Sequence, residues 1–416
     1  MRTSLLDISD AVSGALDLLS TTVSGHHRRV GALAAAMGNA MQLGREDVTD
    51  LMVAGLLHDV GAFTLDTDLA ALYFDINLTD HARIGHMLLS GHPILARPAE
   101  IVLYHHTPWP RLAKAFPDQC DGPPFLGNLL SLADRVDVLY QRDESGNSQS
   151  DRIRAIISGH RRDLFALPAV EAFLDMSASP DFWAPFNRPP SETLDMIRAT
   201  VSDREIPDSQ LLEFSSIFSH VIDFRSRHTA THSRGVAECA GCLARLAGMS
   251  AREQDRIRLA GNLHDIGKLT VPLRLLDKPG ALEPDEYETV KRHVSVSMDV
   301  LSEIPGFDDV AAWAGQHHER LDGRGYPLGL SGDQLSLGSR IMAVADVFTA
   351  ITEDRPYRPG MDRDAALGVL CAMARDNQLD ARIVGLLKLN YDIIDQTRSQ
   401  TQQEALRRFH HFDAQL

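Results

Sequence analysis

The stretch His317-His318-Glu319-Arg320-Leu321-Asp322-Gly323-Arg324-Gly325-Tyr326-Pro327 sets two adjacent histidines, two carboxylates and an arginine directly before a Gly-x-Gly-Tyr-Pro turn. Imidazole nitrogens and carboxylate oxygens together suit Zn, Mn, Fe or Ni rather than Ca or Mg. The glycines let backbone approach a ligand closely, and Pro327 restricts the turn. Taken alone, such a stretch also reads as a polar surface loop. The surrounding chain decides between the two.

Outward from it lies a long-period repeat. Histidines and aspartates occur at His232, His264-Asp265, His293, His317-His318 and Asp346, and again at His26, His58-Asp59, His81, His105-His106 and Asp134. The first histidine stands 32 residues before the His-Asp pair in both sets. The single histidine stands 24 before the His-His pair in both, and the last histidine 28 before the closing aspartate. The interval after the His-Asp pair alone differs, 28 against 22. Leu57-His58-Asp59-Val60-Gly61 also answers Leu263-His264-Asp265-Ile266-Gly267. The chain therefore reads as two copies of one metal-site domain.

Apolar residues recur at three- and four-residue intervals in Arg28–Met41, Asp47–Leu57 and Asp255–Leu263, which predicts helices. Pro and Gly cluster between such runs, and the polar run Asp143–Ser150 reads as a loop. The expected fold class is all-α, two tandem domains of one helical type. Pro189-Pro190 favours an extended link, so the boundary is expected at 187/188, giving domains 1–187 and 188–416. Ser191 would cap a helical segment from about Leu194 to Ser226. His264 and Asp265 are expected late in a helix, with Lys268 on the same face, meeting an anion because a protonated lysine cannot ligate.

These words resemble the HD superfamily of metal-dependent phosphohydrolases, and specifically its HD-GYP subfamily. His264-Asp265-Ile266-Gly267-Lys268 is similar to its HD-x-G-K word, and His317–Pro327 to its HHExxDGxGYP word. Val344-Ala345-Asp346-Val347-Phe348 with Asp354-Arg355-Pro356-Tyr357-Arg358-Pro359 is similar to its closing segment. The resemblance covers roughly His228 to Pro359. It implies two or three divalent ions, Fe or Mn, held by His232, His264, Asp265, His293, His317, His318 and Asp346, with Asp265 as bridge. Where some members use a glutamate for a third ion, this chain has His228. The resemblance further implies Lys268, Arg355 and Arg358 on phosphate and Tyr326 beside the substrate. The implied reaction is hydrolysis of a cyclic dinucleotide by hydroxide formed between two cations, with Asp265 and Lys268 as catalytic residues. Cyclic di-GMP, cut to linear pGpG or GMP, is the first expectation. The alternatives are 3',3'-cyclic GMP-AMP, a receptor that binds without turnover, and a nucleotide phosphohydrolase of the wider group.

The first copy keeps His26, His58, Asp59, His81, His105, His106 and Asp134 as a second candidate metal set. It loses the substrate residues. Ala62 stands for Lys268, Thr107-Pro108-Trp109-Pro110 follows the His-His pair, and Asp143 and Gly146 stand where the second copy has Arg355 and Arg358. It is expected to hold metal without cleaving cyclic dinucleotides, and to regulate, sense a ligand or act on something else.

Composition narrows the rest. With 416 residues, 44% of them hydrophobic, the chain can bury two cores. A net charge of −16 argues against a nucleic-acid polymer as partner. The start contains Asp7, Asp10 and Asp17 without a basic, apolar lead, and no membrane-length apolar run follows. Four cysteines without a disulfide framework fit a cytoplasmic location. Cys239 and Cys242 read as packing residues, and the tail Gln396–Arg408 as a solvated helix face. A homodimer or a signalling-protein partner is left open.

Overall fold

The computed structural model describes residues 3–17, 25–62, 79–117, 121–141, 146–188, 198–207, 210–215, 231–278, 280–354 and 359–413, with 192 and 219. The architecture is all-α. The strands among the described residues are two residues long, Thr3–Ser4 and Glu205–Ile206. No described helix is long and apolar enough to cross a membrane. The chain divides into two compact units, Ser4–Glu205 and Ile206–Leu416 with Met1–Thr3.

In the first unit, helices α1 (Leu5–Asp17), α2 (His26–Ala40) and α3 (Arg45–Leu57) pack together. They are followed by α4 (Thr79–Leu89), α5 (Ala96–Tyr104), α6 (Trp109–Ala115) and α7 (Pro123–Leu139), then α8 (Gly146–Gly159), α9 (Leu167–Met176) and α10 (Pro180–Trp183). The second unit opens with α11 (His232–Leu246) and α12 (Ala251–Leu263), then α13 (Leu273–Leu276), α14 (Pro284–Ser302), α15 (Asp308–Gly315) and α16 (Leu337–Thr352). Helices α17 (Arg363–Arg375), α18 (Ala381–Leu389) and α19 (Tyr391–Asp413) close the chain.

The repeat is physical as well as sequential. Helices α2 and α11 are both 15 residues long, and α3 and α12 both 13. Each pair packs face to face. On α3, Leu51, Met52, Val53, Leu56 and Leu57 are all fully buried. Each such side chain contributes roughly 1.5–3 kcal/mol of burial, which pins the helix end that presents the His-Asp pair. In the second unit the pair follows α12, whose start is closed by a reciprocal Ser250–Glu253 capping box.

Several expectations change. The unit boundary falls between 205 and 206 rather than at 187/188. Residues 198–204 belong with the first unit because Arg204 bonds Asp50 at 2.6 Å and Arg198 bonds Asp7 at 2.6 Å. Thr49 Oγ1 also accepts from the Ser202 backbone at 2.9 Å. One continuous helix from 194 to 226 is excluded by the strand at Glu205–Ile206; much of that segment lies outside the described residues. The polar run thought to be a loop is helical from Gly146, because α8 sinks Ile153 and Ile157 into the core. The tail is not simply a solvated face: α19 packs on α11 and buries Arg398 and Gln402. Cys239 and Cys242 are buried free thiols on α11, and Cys120 lies outside the described residues.

In each unit the glycine two residues after the His-Asp pair is set by close approach. A Cβ on Gly61 would run into the His81 backbone carbonyl, and one on Gly267 into that of His293. Nothing flexible can yield there. Gly267→Ala is expected to cost about 1–3 kcal/mol, read as a lowered denaturant midpoint with an unchanged slope. An unaltered midpoint would mean that this approach is not constrained.

Candidate metal centres

In the second unit, five backbone elements deliver the ligand-type side chains. His232 opens α11. His264 and Asp265 stand just past α12, at the turn into a 3-10 helix (Ile266–Thr270), not inside one long helix as the spacing suggested. Lys268 still reaches Asp265, its Nζ 2.6 Å from Oδ2, because a 3-10 turn aligns residues three apart. His293 lies on α14, His317 and His318 follow α15, and Asp346 lies on α16.

All seven converge. His232 Nε2 is 3.0 Å from Asp346 Oδ1, and His264 Nε2 is 3.2 Å from Asp265 Oδ2. His293 Nε2 is 3.3 Å from the other oxygen, Asp265 Oδ1, and His318 Nδ1 is 3.7 Å from Asp346 Oδ2. Asp265 thus turns one oxygen to each of two histidine groups, as a bridging carboxylate does. Its carboxyl sits well below the usual range: burial opposes ionisation, and His264, Lys268 and His293 outweigh it. His228, Arg355 and Arg358 lie outside the described residues.

Hydrogen bonding tests whether cations fit. Nδ1 of His264, His293 and His317 donates to the carbonyls of Gly261, Val290 and Ala314, at 2.8, 2.6 and 2.5 Å. A carbonyl only accepts, so Nδ1 carries the proton and Nε2 keeps its lone pair. All three Nε2 atoms, and Asp265 Oδ1, are buried without a hydrogen-bond partner. Buried acceptors with no donor are costly, and a cation is the partner they lack. His232, His264 and Asp346 lie close enough to share one, as do His293, His317 and His318.

Residues outside the motifs hold the ligands in place. Glu353 Oε2 accepts from His232 Nδ1 at 3.1 Å, and Gln402 Nε2 on α19 donates to the same oxygen at 3.2 Å. Burial opposes a proton on His232, yet the Glu353 charge and the Asp346 bond push its pKa up to about 10. A cation taking His232 Nε2, the nitrogen that faces Asp346, therefore displaces a proton. Glu319 proves to be no ligand: its buried carboxylate accepts from the backbone N–H of Leu328, Gly329 and Leu330 at 2.6, 3.1 and 2.9 Å. It shapes the turn that sets the Tyr326 ring 4.9 Å from the His318 ring. Lys291 Nζ lies 5.1 Å from the Tyr326 ring centre, and the exposed Tyr287 packs edge-on to Tyr326.

The first unit repeats this shell. Asp59 Oδ2 is 3.3 Å from His58 Nε2 and Oδ1 is 3.4 Å from His81 Nε2. His26 Nε2 is 3.3 Å from Asp134 Oδ1, and His105 and His106 meet His81 at 3.3 and 2.9 Å. His58 and His105 again donate Nδ1 to the carbonyls three residues back, Gly55 and Val102. Asp137 takes the place of Glu353, accepting from His26 Nδ1 at 2.8 Å while Arg29 holds it. His81, His105 and His106 form one group able to hold an ion, and His26, His58 and Asp59 another.

Residues 216–383 match a family model described as HD domain, and residues 23–139 match another of the same description. The chain is 33% identical over 390 residues to the 3'3'-cGAMP-specific phosphodiesterase 1 of Vibrio cholerae, covering 91% of this chain and 90% of that protein. This chain belongs to the HD superfamily of metal-dependent phosphohydrolases. Its two units are two HD domains. The 3'3'-cGAMP-specific phosphodiesterase 3 of Vibrio cholerae is 40% identical over 165 residues, covering 40% of this chain and 36% of that protein. The cyclic di-GMP phosphodiesterase response regulator RpfG of Xanthomonas campestris is 40% identical over 177 residues, covering 42% and 47%. A crystal structure of a cyclic GMP-AMP-specific phosphodiesterase from V. cholerae shares the fold, with a TM-score of 0.63 at 21% identity over 94% of this chain and 98% of that one.

The support of His232 by Glu353 makes a direct expectation for the second HD domain. Glu353→Gln should weaken metal binding about 10- to 100-fold, measured by Mn(II) titration of the metal-free chain. Unchanged affinity would show that Glu353 does not orient His232.

Proposed function

We propose that the second HD domain is a metal-dependent phosphodiesterase acting on a cyclic dinucleotide, with 3',3'-cyclic GMP-AMP as substrate. The observation that carries the reading is the convergence of seven ligand-type side chains around Asp265, three of them with unpartnered buried imidazole nitrogens, and a lysine at the edge. The motif first suggested cyclic di-GMP. The relative aligned across both HD domains favours cyclic GMP-AMP, whereas RpfG aligns over less than half of this chain. Cyclic di-GMP stays as the second reading, supported by the 40% identity to RpfG.

In this reading His232, His264, Asp265, His293, His317, His318 and Asp346 would hold two divalent ions, iron or manganese. Such ions supply Lewis acidity and an activated water at neutral pH. Lys268 is one-fifth exposed while Asp265 is buried, so the ammonium lies between the ligand shell and solvent. There it neutralises a phosphoryl oxygen of the substrate. Tyr326 and Tyr287 offer aromatic faces to a base, and Lys291 beside them a second cation. Arg355 and Arg358 are assigned phosphate contacts from the motif alone. His228 is the residue available to a third ion. The first HD domain holds metal and lacks the lysine, so it regulates, senses a ligand or serves another phosphoester.

The test is kcat/KM for both cyclic dinucleotides with the anaerobically metal-loaded chain and mass-spectrometric identification of products. The reading expects cleavage of both with cyclic GMP-AMP preferred about tenfold or more, a discrimination of about 1.4 kcal/mol. A preference for cyclic di-GMP selects the second reading, and tight binding without cleavage makes the protein a receptor. Lys268→Met should lower kcat about 10²- to 10³-fold at unchanged metal content. Retained kcat would remove Lys268 from the reaction.

A further inference from the structure

The first HD domain contains a histidine that the repeat does not account for. His27 follows His26 on the first turn of α2, and the second unit has Ser233 at that place. The His27 ring is 2% exposed. Its Nδ1 is 2.7 Å from Asp17 Oδ1, while Asp17 Oδ2 accepts from the Gly25 backbone N–H at 2.8 Å. The ring is therefore anchored from behind, through a carboxylate that is itself fixed at the start of α2. Nε2 points the other way. It lies within ion-pair reach of Asp59 Oδ2 at 3.6 Å, and is buried without a hydrogen-bond partner.

The same carboxylate oxygen has a different neighbour in each domain. In the second, Asp265 Oδ2 is paired with the Lys268 ammonium. In the first, Ala62 stands at the lysine position and Asp59 Oδ2 faces the His27 imidazole. Two ligands each about 2.1 Å from one ion stand roughly 3 to 3.5 Å apart. The His27–Asp59 separation lies about 0.1 Å beyond that range, a shift a side chain makes on binding, and the His58–Asp59 separation of 3.3 Å lies inside it. A carboxylate behind an imidazole is also the usual support for a histidine ligand, fixing its tautomer and raising its basicity.

We propose that His27 is a further metal ligand of the first HD domain, binding through Nε2 on the Asp59 side of the centre with Asp17 as its support. This rests on the reading of the first domain as a metal site. Two replacements, Ser233 to His27 and Lys268 to Ala62, then act together. They remove the cation that would meet a phosphate and put a ligand for a divalent ion in its place. The first domain becomes a more histidine-rich centre without a lysine at the position of Lys268.

The test uses the full chain with His264→Ala and Asp265→Asn, so that bound metal reports the first domain. Co(II) is the probe, read by its visible absorption and by elemental analysis after titration of the metal-free protein. In this background His27→Gln is expected to weaken Co(II) binding about 10- to 100-fold or more and to alter the absorption bands. His27→Ser, which installs the residue of the second domain, should do the same. Asp17→Asn should give a smaller loss in the same direction. Circular dichroism confirms folding of each variant. His58→Ala separates the two claims. Loss of Co(II) in His58→Ala with unchanged binding in both His27 variants overturns the His27 assignment and leaves the metal site standing. Retention of Co(II) in His58→Ala, or no Co(II) bound in the parent background, overturns both.

Discussion

Each HD domain is organised by one electrostatic constraint: a carboxylate, buried at Asp265 and part-buried at Asp59, flanked by imidazoles whose lone pairs have nowhere to go. Asp265 faces His264 with one oxygen and His293 with the other, and Asp59 does the same with His58 and His81. Backbone carbonyls three residues upstream take the Nδ1 protons of His58, His105, His264, His293 and His317, which leaves acceptors pointing inward. A packed core tolerates such a cluster only when positive charge is supplied. The helix ends that converge there, the glycine that lets the 3-10 turn approach α14, and the Glu353–Gln402 support all serve that convergence.

The two domains answer the constraint differently at their edges. In the second, Lys268 meets Asp265 and Glu319 gathers three backbone N–H groups to fold the Tyr326 turn. In the first, the turn is replaced by α6, where Trp109 packs edge-on against Phe125 and its backbone N–H bonds the Leu164 carbonyl. The histidine–aspartate shell is repeated in both copies, whereas Lys268 has Ala62 as its counterpart. Under the proposed reading it is the second domain that offers Lys268 to an anionic phosphoester.

Much of this was legible in the chain because ligand spacing follows helix geometry. Equal intervals between His26 and His58 and between His232 and His264 reflect two helix pairs of equal length. The supports were not legible. Asp137 follows Asp134 by three residues and Glu353 follows Asp346 by seven, so no shared spacing marks them. Gln402 reaches the site from the last helix, and Asp17 meets His27 from the end of α1; such contacts depend on packing that periodicity does not encode. The boundary was placed too early because Pro189-Pro190 is a local signal, whereas Arg198 and Arg204 bind the first unit by contacts distant in sequence. Glu319, in the most metal-like stretch of the chain, turned out to bond backbone, since residue type alone does not tell a ligand from a turn support.

The central claim is that turnover belongs to the second metal centre. It is tested most directly by product formation from cyclic GMP-AMP in metal-loaded full-length His264→Ala and His58→Ala proteins, compared with wild type. The account predicts that His264→Ala abolishes cleavage while His58→Ala retains it. Cleavage that survives His264→Ala and is lost in His58→Ala would assign the reaction to the first domain and contradict the account.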